Sequence, residues 1–537
     1  MRNLVLVHLE SLNSITCHLH KGACPTLREW EGKSLSFSRY FSTATSTLMV
    51  VSDLVYGGLL QYEPCENMRS VPDAYCCQSS LLDDLKKDGY RVRAVNYPAA
   101  PGSDVPKANE RHFVGFDIAM ECMDSYEAYM QALDEAMTAE APFAVLACNY
   151  IGNIGYYGYM QHTAEQSGFE LWESACVQRD QCVKDLLDIL KRKGLTDNTT
   201  IIFYGDHGDD ICAHGRHKGL LHVFEPYASL IHTPFWIYDS RIRPGETDRL
   251  CDTTDIRSMV ERLLHTPETG EGKLKVEELG LPDRKYSLSR SGYAAQKVRE
   301  RSFHKGYGVT DGTFLFLAGD QGMELYHIWM DEGCQHNLLD YFDFSEGALR
   351  RNRGACNGIG YHIKAVLDEK ALQQTEAVFY AFRKELMRGV EELYRYADSP
   401  YFALEIDCEN IHYGWEERER RTKVEALRRS GTVSDPEGRQ EFDLYGRYLN
   451  GKKIVVYGAG DYGTYFCEEM AGSTDILAWV DKNYGELPPR HGTEIQSPEK
   501  LKELSFDAVF IAIANIWVKQ EVKDMLSGWG IPGEKIF

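Results

Sequence analysis

The densest set of residues able to do chemistry is the stretch IIFYGDHGDDICAHGRHKG at 201–219. Asp206 and His207 are adjacent there, and His214, His217 and Lys218 follow closely. Carboxylate and imidazole side chains suit Zn²⁺ or Mn²⁺, while a nearby Lys and extra His suit a tetrahedral anion. A further carboxylate, Glu10, closes the apolar run NLVLVHL at 3–9, which His8 interrupts. The stretch TATSTLMVVSDLVYGG at 43–58 places three threonines and two serines around the start of an apolar run. One of those hydroxyls could attack an ester, or the group could be a polar cap on a buried helix.

These groups need elements to hold them. Residues 3–9 read as a buried strand, and apolar runs at 91–96, 143–148 and 200–204 are separated by segments of helical period such as 174–193. Strands alternating with helices imply an α/β fold, a mostly parallel sheet flanked by helices. Ligands of such sheets gather at the carboxyl ends of the strands. Glu10 follows the first strand and Asp206-His207 follows the last, so both are expected on one edge.

Six segments in order carry a resemblance: NLVLVHLES, CPTLREW, GDHGDDICAHGRHK, HTPFWIY, TTDIRSMVERLL and MELYHIWMDEGCQHNLLD. Over roughly residues 1–340 the chain resembles the sulfatase-like branch of the alkaline phosphatase superfamily. Its Glu10 resembles the metal carboxylate of the lipoteichoic acid synthase type. ATST at 44–47 resembles the G-T-S-T of phosphoethanolamine transferases, in which the last Thr attacks. The resemblance implies a metal site of Glu10, Thr47, Asp206 and His207, with Thr47 as nucleophile and Thr43 or Thr45 as alternatives. His214, His217 and Lys218 would stabilise charge on the transferred group or the leaving group. The implied ion is Mn²⁺ or Zn²⁺, with Mg²⁺ or Ca²⁺ as alternatives.

Two departures matter. The C-x-P-S-R of true sulfatases is absent here, so phosphoryl or phosphodiester transfer is expected over sulfate-ester hydrolysis. The substrate-handling His of phosphoethanolamine transferases is replaced by Ile154 in IGNIGYYGY, with His162 as a candidate substitute. The expected function is a metal-dependent phosphotransferase or phosphodiesterase working through phospho-threonine, on a soluble phospho-compound or a surface-polysaccharide precursor. The alternatives are a sulfatase-type hydrolase and a non-catalytic glycan- or nucleotide-binding protein.

The rest of the chain sets boundaries. Its 537 residues allow two or three domains, expected at 1–345 (catalytic), 346–448 (a charged helical connector) and 449–537. The last opens with KKIVVYGAGDYGTYF, a strand running into Gly458-x-Gly460-x-x-Gly463, with Asp481 after a second apolar run. That pattern suits a Rossmann-like module, in which the glycines admit a phosphate and the acid meets a ribose. A nucleotide there and a purely structural or oligomerising module both remain open. The balance of 59 Lys+Arg against 81 Asp+Glu, net −22, argues against nucleic acid as a partner. Fifteen cysteines without a C-x-x-C pair suit reduced thiols. With no apolar stretch long enough for a signal peptide or a membrane span, a soluble, cytoplasmic protein is expected.

Overall fold

The computed structural model describes residues 1–14, 23–59, 61–62, 74–75, 79–97, 120–151, 168–209, 225–267, 273–291, 306–319, 322–351 without 332 and 335–336, 367–393, and 449–537 without 471, 491 and 514–515. The chain divides into two compact units. The first contains Met1–Asp210, Leu220–Asp320 and Phe382–Ile406, and the second Ile211–Gly219, Gln321–Ala381 and Asp407–Phe537. Among the described residues no helix is long and apolar enough to cross a membrane.

The first unit is built on β1 (Asn3–Leu9), α1 (Pro25–Glu31), β2 (Leu35–Phe37), α2 (Thr47–Tyr56), β3 (Arg91–Tyr97), β4 (Met120–Cys122), β5 (Phe143–Asn149), α3 (Gly168–Arg192), β6 (Thr199–Gly205), β7 (Phe235–Tyr238), β8 (Gly245–Thr247) and α4 (Asp255–His265). The eight strands form one sheet in the order β8-β2-β7-β6-β1-β5-β3-β4. All pairings are parallel except those of β7 with β2 and β6. This is the alkaline-phosphatase-like α/β fold expected of the sequence.

All seven residues of β1, β5 and β6 are buried, as strands covered on both faces must be. Side chains two apart share a face. Leu4 and Leu6 of β1 and Ile202 and Tyr204 of β6 therefore pack into one core with Met49, Val50, Val51, Leu54 and Val55 of α2. Helix α2 follows Ser46, whose backbone is extended (φ −147°), and ends at Gly57 in the left-handed region (φ 66°) that glycine tolerates. A parallel register of His8 with Tyr204 aligns the carboxyl ends of β1 and β6.

Within the second unit, Phe342–Ser345 pairs antiparallel with Ala348–Arg351. Residues 394–448, most of the expected connector, lie outside the described residues. Beyond them, β9 (Lys453–Tyr457), α5 (Asp461–Met470), β10 (Asp475–Val480), β11 (Ala508–Ile511) and α6 (Ile516–Gly528) make a three-stranded parallel sheet with β9 central. Val455, Tyr457, Val480, Val509, Ile511, Val522 and Leu526 form its own core.

Candidate active site

The parity that builds the core also builds the site. Continuing the face of Leu4 and Leu6 brings His8, near the end of β1, and then Glu10, just past it, to the sheet edge, and continuing Ile202 and Tyr204 brings Asp206. His8, Glu10, Asp206 and His207 are all fully buried. His8 stacks on Tyr204, with ring centroids 5.6 Å apart. Potential ligand atoms of His8, Glu10 and Asp206 all lie within 4.8 Å of one another.

The distances define a tight cluster. His8 Nε2 is 3.3 Å from Glu10 Oε2 and 3.1 Å from Asp206 Oδ2, and His207 Nε2 is 3.2 Å from Asp206 Oδ2. Thr47 Oγ1 is 3.4 Å from Glu10 Oε2 and 3.2 Å from His207 Nε2. Thr47 is the first residue of α2, where the helix dipole favours negative charge. It is half-buried and lines a small cavity with His8, Asn96, Cys148 and Tyr150.

The surroundings orient these groups. Ser11 has a positive φ of 54°, rare for a residue with a Cβ. That turn lets its N–H donate to Asp206 Oδ1 (3.1 Å) and its hydroxyl to Glu10 Oε1 (3.1 Å). Ser42 Oγ donates to the Asp206 carbonyl. His207 Nδ1 lies 3.0 Å from the Gly208 carbonyl. A proton on Nδ1 satisfies that oxygen and leaves the Nε2 lone pair facing Thr47 and Asp206. Gly208 must be glycine, since a Cβ there would stand 2.1 Å from the Ser229 carbonyl. Burial would push the Asp206 carboxyl up, but the His207 and His8 rings beside it outweigh burial and hold it well below the usual carboxylate range.

Asp206 Oδ2 and His8 Nε2 are buried, 3.1 Å apart, and neither has a hydrogen-bond partner. Buried polar atoms without partners are costly. Two carboxylates and two imidazoles around a hydroxyl form a donor set that a divalent cation would satisfy, so the residues present fit the implied metal.

The three threonines separate by their partners. Thr43 Oγ1 donates to Asp53 Oδ2 (2.7 Å), which in turn binds Arg290 Nη2 at 2.9 Å. The Thr45 backbone N–H bonds the Arg290 carbonyl. Thr47 is the one whose hydroxyl faces Glu10 and His207. His214, His217, Lys218, Ile154 and His162 lie outside the described residues. His8 was not among the residues singled out from the sequence, although its i, i+2 spacing to Glu10 on a buried strand was a usable signal.

In the carboxy-terminal segment, Gly458 has φ 111° and Gly463 packs so closely that a Cβ would stand 2.0 Å from the Gly458 carbonyl. Around Gly460 there is open space. Asp481 accepts from Ala459 N–H at Oδ2 and from Asn483 N–H at Oδ1, both 2.8 Å. Both of its oxygens thus meet backbone amides.

Residues 174–260, which include most of α3, all of β6 and Asp206-His207, match the sulfatase family. Residues 450–537 match the family described as C2185-like, N-terminal. No curated protein matches the chain. Among solved structures, one of a putative sulfatase from Bacteroides thetaiotaomicron is 13% identical, covering 78% of this chain and 97% of its own at a TM-score of 0.54. A 2-O GAG sulfatase is 12% identical, covering 76% and 94%, at 0.52. At these identities the likeness establishes the shared fold.

Proposed function

We propose that this chain, with a sulfatase-family segment and the fold of sulfatases, is a metal-dependent hydrolase or transferase that uses Thr47 on a phosphate or sulfate ester. The observation that carries this reading is the gathering of His8, Glu10, Asp206 and His207 beside the Thr47 hydroxyl, with Asp206 Oδ2 and His8 Nε2 buried and without a hydrogen-bond partner. His8, Glu10, Asp206, His207 and Thr47 would hold a divalent ion. When bound, it supplies positive charge that favours the alkoxide of Thr47 and offsets charge on the ester oxygens.

Thr47 Oγ1 gives up its proton to water and attacks phosphorus, the bond from phosphorus to the leaving oxygen breaks, that oxygen departs taking a proton from water, and the phosphoryl group stays on Thr47 until water or an alcohol takes it. The Nε2 lone pair of His207, 3.2 Å from Thr47 Oγ1, is the atom this residue would offer to the ion beside that hydroxyl. Phosphoryl transfer is the first reading because the stretch around Thr47 lacks the C-x-P-S-R of true sulfatases. Sulfate-ester hydrolysis is the second reading, supported by the sulfatase family match and the sulfatase neighbours. The substrate class is a small molecule or glycan bearing either ester.

Purified protein loaded in turn with Mn²⁺ and Zn²⁺ is assayed on an aryl phosphodiester and an aryl sulfate, then quenched in acid for peptide mapping. A phosphoryl group on Thr47 and turnover of the phosphodiester are expected. Turnover of the sulfate alone replaces the first reading with the second. An Asp206→Ala protein that keeps its metal and its activity overturns both.

A further inference from the structure

Away from this site, α1 and α3 meet at a buried cluster of two thiols and one arginine. Cys24 immediately precedes α1 and is 4% exposed, and Cys176 and Arg179 on α3 are fully buried. Cys24 Sγ lies 3.7 Å from the Cys176 carbonyl, which brings the two cysteines side by side. Asp180 clamps the start of α1 to α3, accepting from Thr26 N–H at 3.1 Å and Leu27 N–H at 2.9 Å. Both carboxylate oxygens therefore face α1 backbone.

Arg179 is the anomaly. Its Nη1 donates to Cys176 Sγ at 3.5 Å, while its Nε and Nη2 are buried without a hydrogen-bond partner. A guanidinium out of water requires a counter-anion close by. The neighbouring groups that can supply one are the thiols and, further off, Glu10. The Cys176 hydrogen bond holds the Cys24 thiol below its ordinary range, with Arg179 adding to the effect, while burial pushes Cys176 well up. Arg179 Nη1 on Cys176 Sγ and Cys24 alongside set both sulfurs next to a guanidinium, which favours negative charge on sulfur.

We propose that Cys24 and Cys176 form a redox-active dithiol site, with Arg179 as its built-in counter-charge, which low-molecular-weight disulfides oxidise to a Cys24–Cys176 disulfide. Cys24 thiolate attacks one sulfur of the reagent disulfide, forming a mixed disulfide and releasing one thiolate, which takes a proton from water. Cys176 sulfur then attacks Cys24 Sγ, expelling the second thiolate, which takes the Cys176 proton. One reagent disulfide is reduced to two thiols as the protein pair is oxidised by two electrons. The crosslink would fasten the start of α1 to α3, where Asp180 already holds it. The dithiol reaction does not draw on the ester chemistry proposed for Thr47.

The test uses the full chain and glutathione disulfide, with timed alkylation and peptide mapping of all fifteen cysteines. A Cys24–Cys176 crosslinked peptide should appear at least about tenfold faster than Cys148 or Cys182 is lost, since burial pushes both of those thiols up. Dithiothreitol should restore both thiols. Cys176→Ser should trap glutathione on Cys24, because the resolving sulfur is gone. The proposal fails if Cys24 and Cys176 react no faster than Cys148, or if Cys24 crosslinks to another cysteine. If Cys176→Ser does not fold, the wild-type peptide map decides alone.

Discussion

Asp206 and Asp481 each follow a strand with a buried carboxyl end, β6 and β10, yet their surroundings treat them in opposite ways. Asp481 is half-buried, and each of its oxygens accepts a backbone N–H at 2.8 Å. Asp206 is fully buried; Ser11 N–H serves Oδ1, but Oδ2 faces two imidazole nitrogens at 3.1 and 3.2 Å with no hydrogen-bond partner. An acid after a strand is therefore not a ligand by position alone. What distinguishes the two is the supply of donors: a carboxylate met by amides shapes a loop, and one crowded by other lone pairs calls for a cation.

The sharpest break of this comparison is Thr47→Ala. Turnover should fall by more than about a thousandfold, as when a covalent nucleophile is removed, while metal content by elemental analysis stays near that of wild type. Loss of metal together with activity would make Thr47 chiefly a ligand.

Next comes Asp53→Ala, which leaves Arg290 buried without its carboxylate. Breaking a buried ion pair costs about 3–5 kcal/mol, so chemical denaturation should show a loss of that order. Thr43→Val should cost only about 1 kcal/mol.

His8→Gln tests the residue that sequence inspection passed over. If His8 helps hold the ion, affinity by titration should weaken about 10–100-fold, the range for groups that support a metal site. Unchanged affinity would confine His8 to its stacking on Tyr204.

A pH effect should follow from Asp255, buried beside Asp252 and bound by Arg284. Burial first, and then the Asp252 charge, push its carboxyl up to about 6 from 3.8. Between those values the folded chain keeps a proton that the unfolded chain has released, so this group's contribution to stability declines as pH rises toward 6 and levels off above it. Unfolding free energies measured from pH 4 to 7 should show that decline in wild type and a flatter profile in Asp255→Asn.

The smallest effect is expected at Asp481. Asp481→Ala should lower stability by about 1 kcal/mol, the worth of the lost amide contacts, with ester turnover unchanged. A large fall in turnover would show that the carboxy-terminal segment serves the chemistry.

Much of the fold was legible because period is a local property. Short apolar runs such as 143–148 read as strands buried on both faces, and helical segments between them favour parallel pairing. Glu10, Asp206 and His207 were legible because each follows such a strand, and parallel strands put their ends on one edge. His8 was read as an interruption in an apolar run, since hydropathy counts it as polar and only its alternation with Glu10 says where it points.

The sequence by itself determined strand parity, and with it which acids and imidazoles share a face of β1 and β6. Which threonine hydroxyl lies beside Glu10 and His207 was left to the tertiary structure. Arg290 stands 237 residues from Asp53 in the chain, and its ion pair with that acid helps engage Thr43 in the core. The start of α2 then presents Thr47 to Glu10 and His207. Contacts between residues so far apart are made by packing, and no spacing along the chain encodes which hydroxyl they leave facing the site.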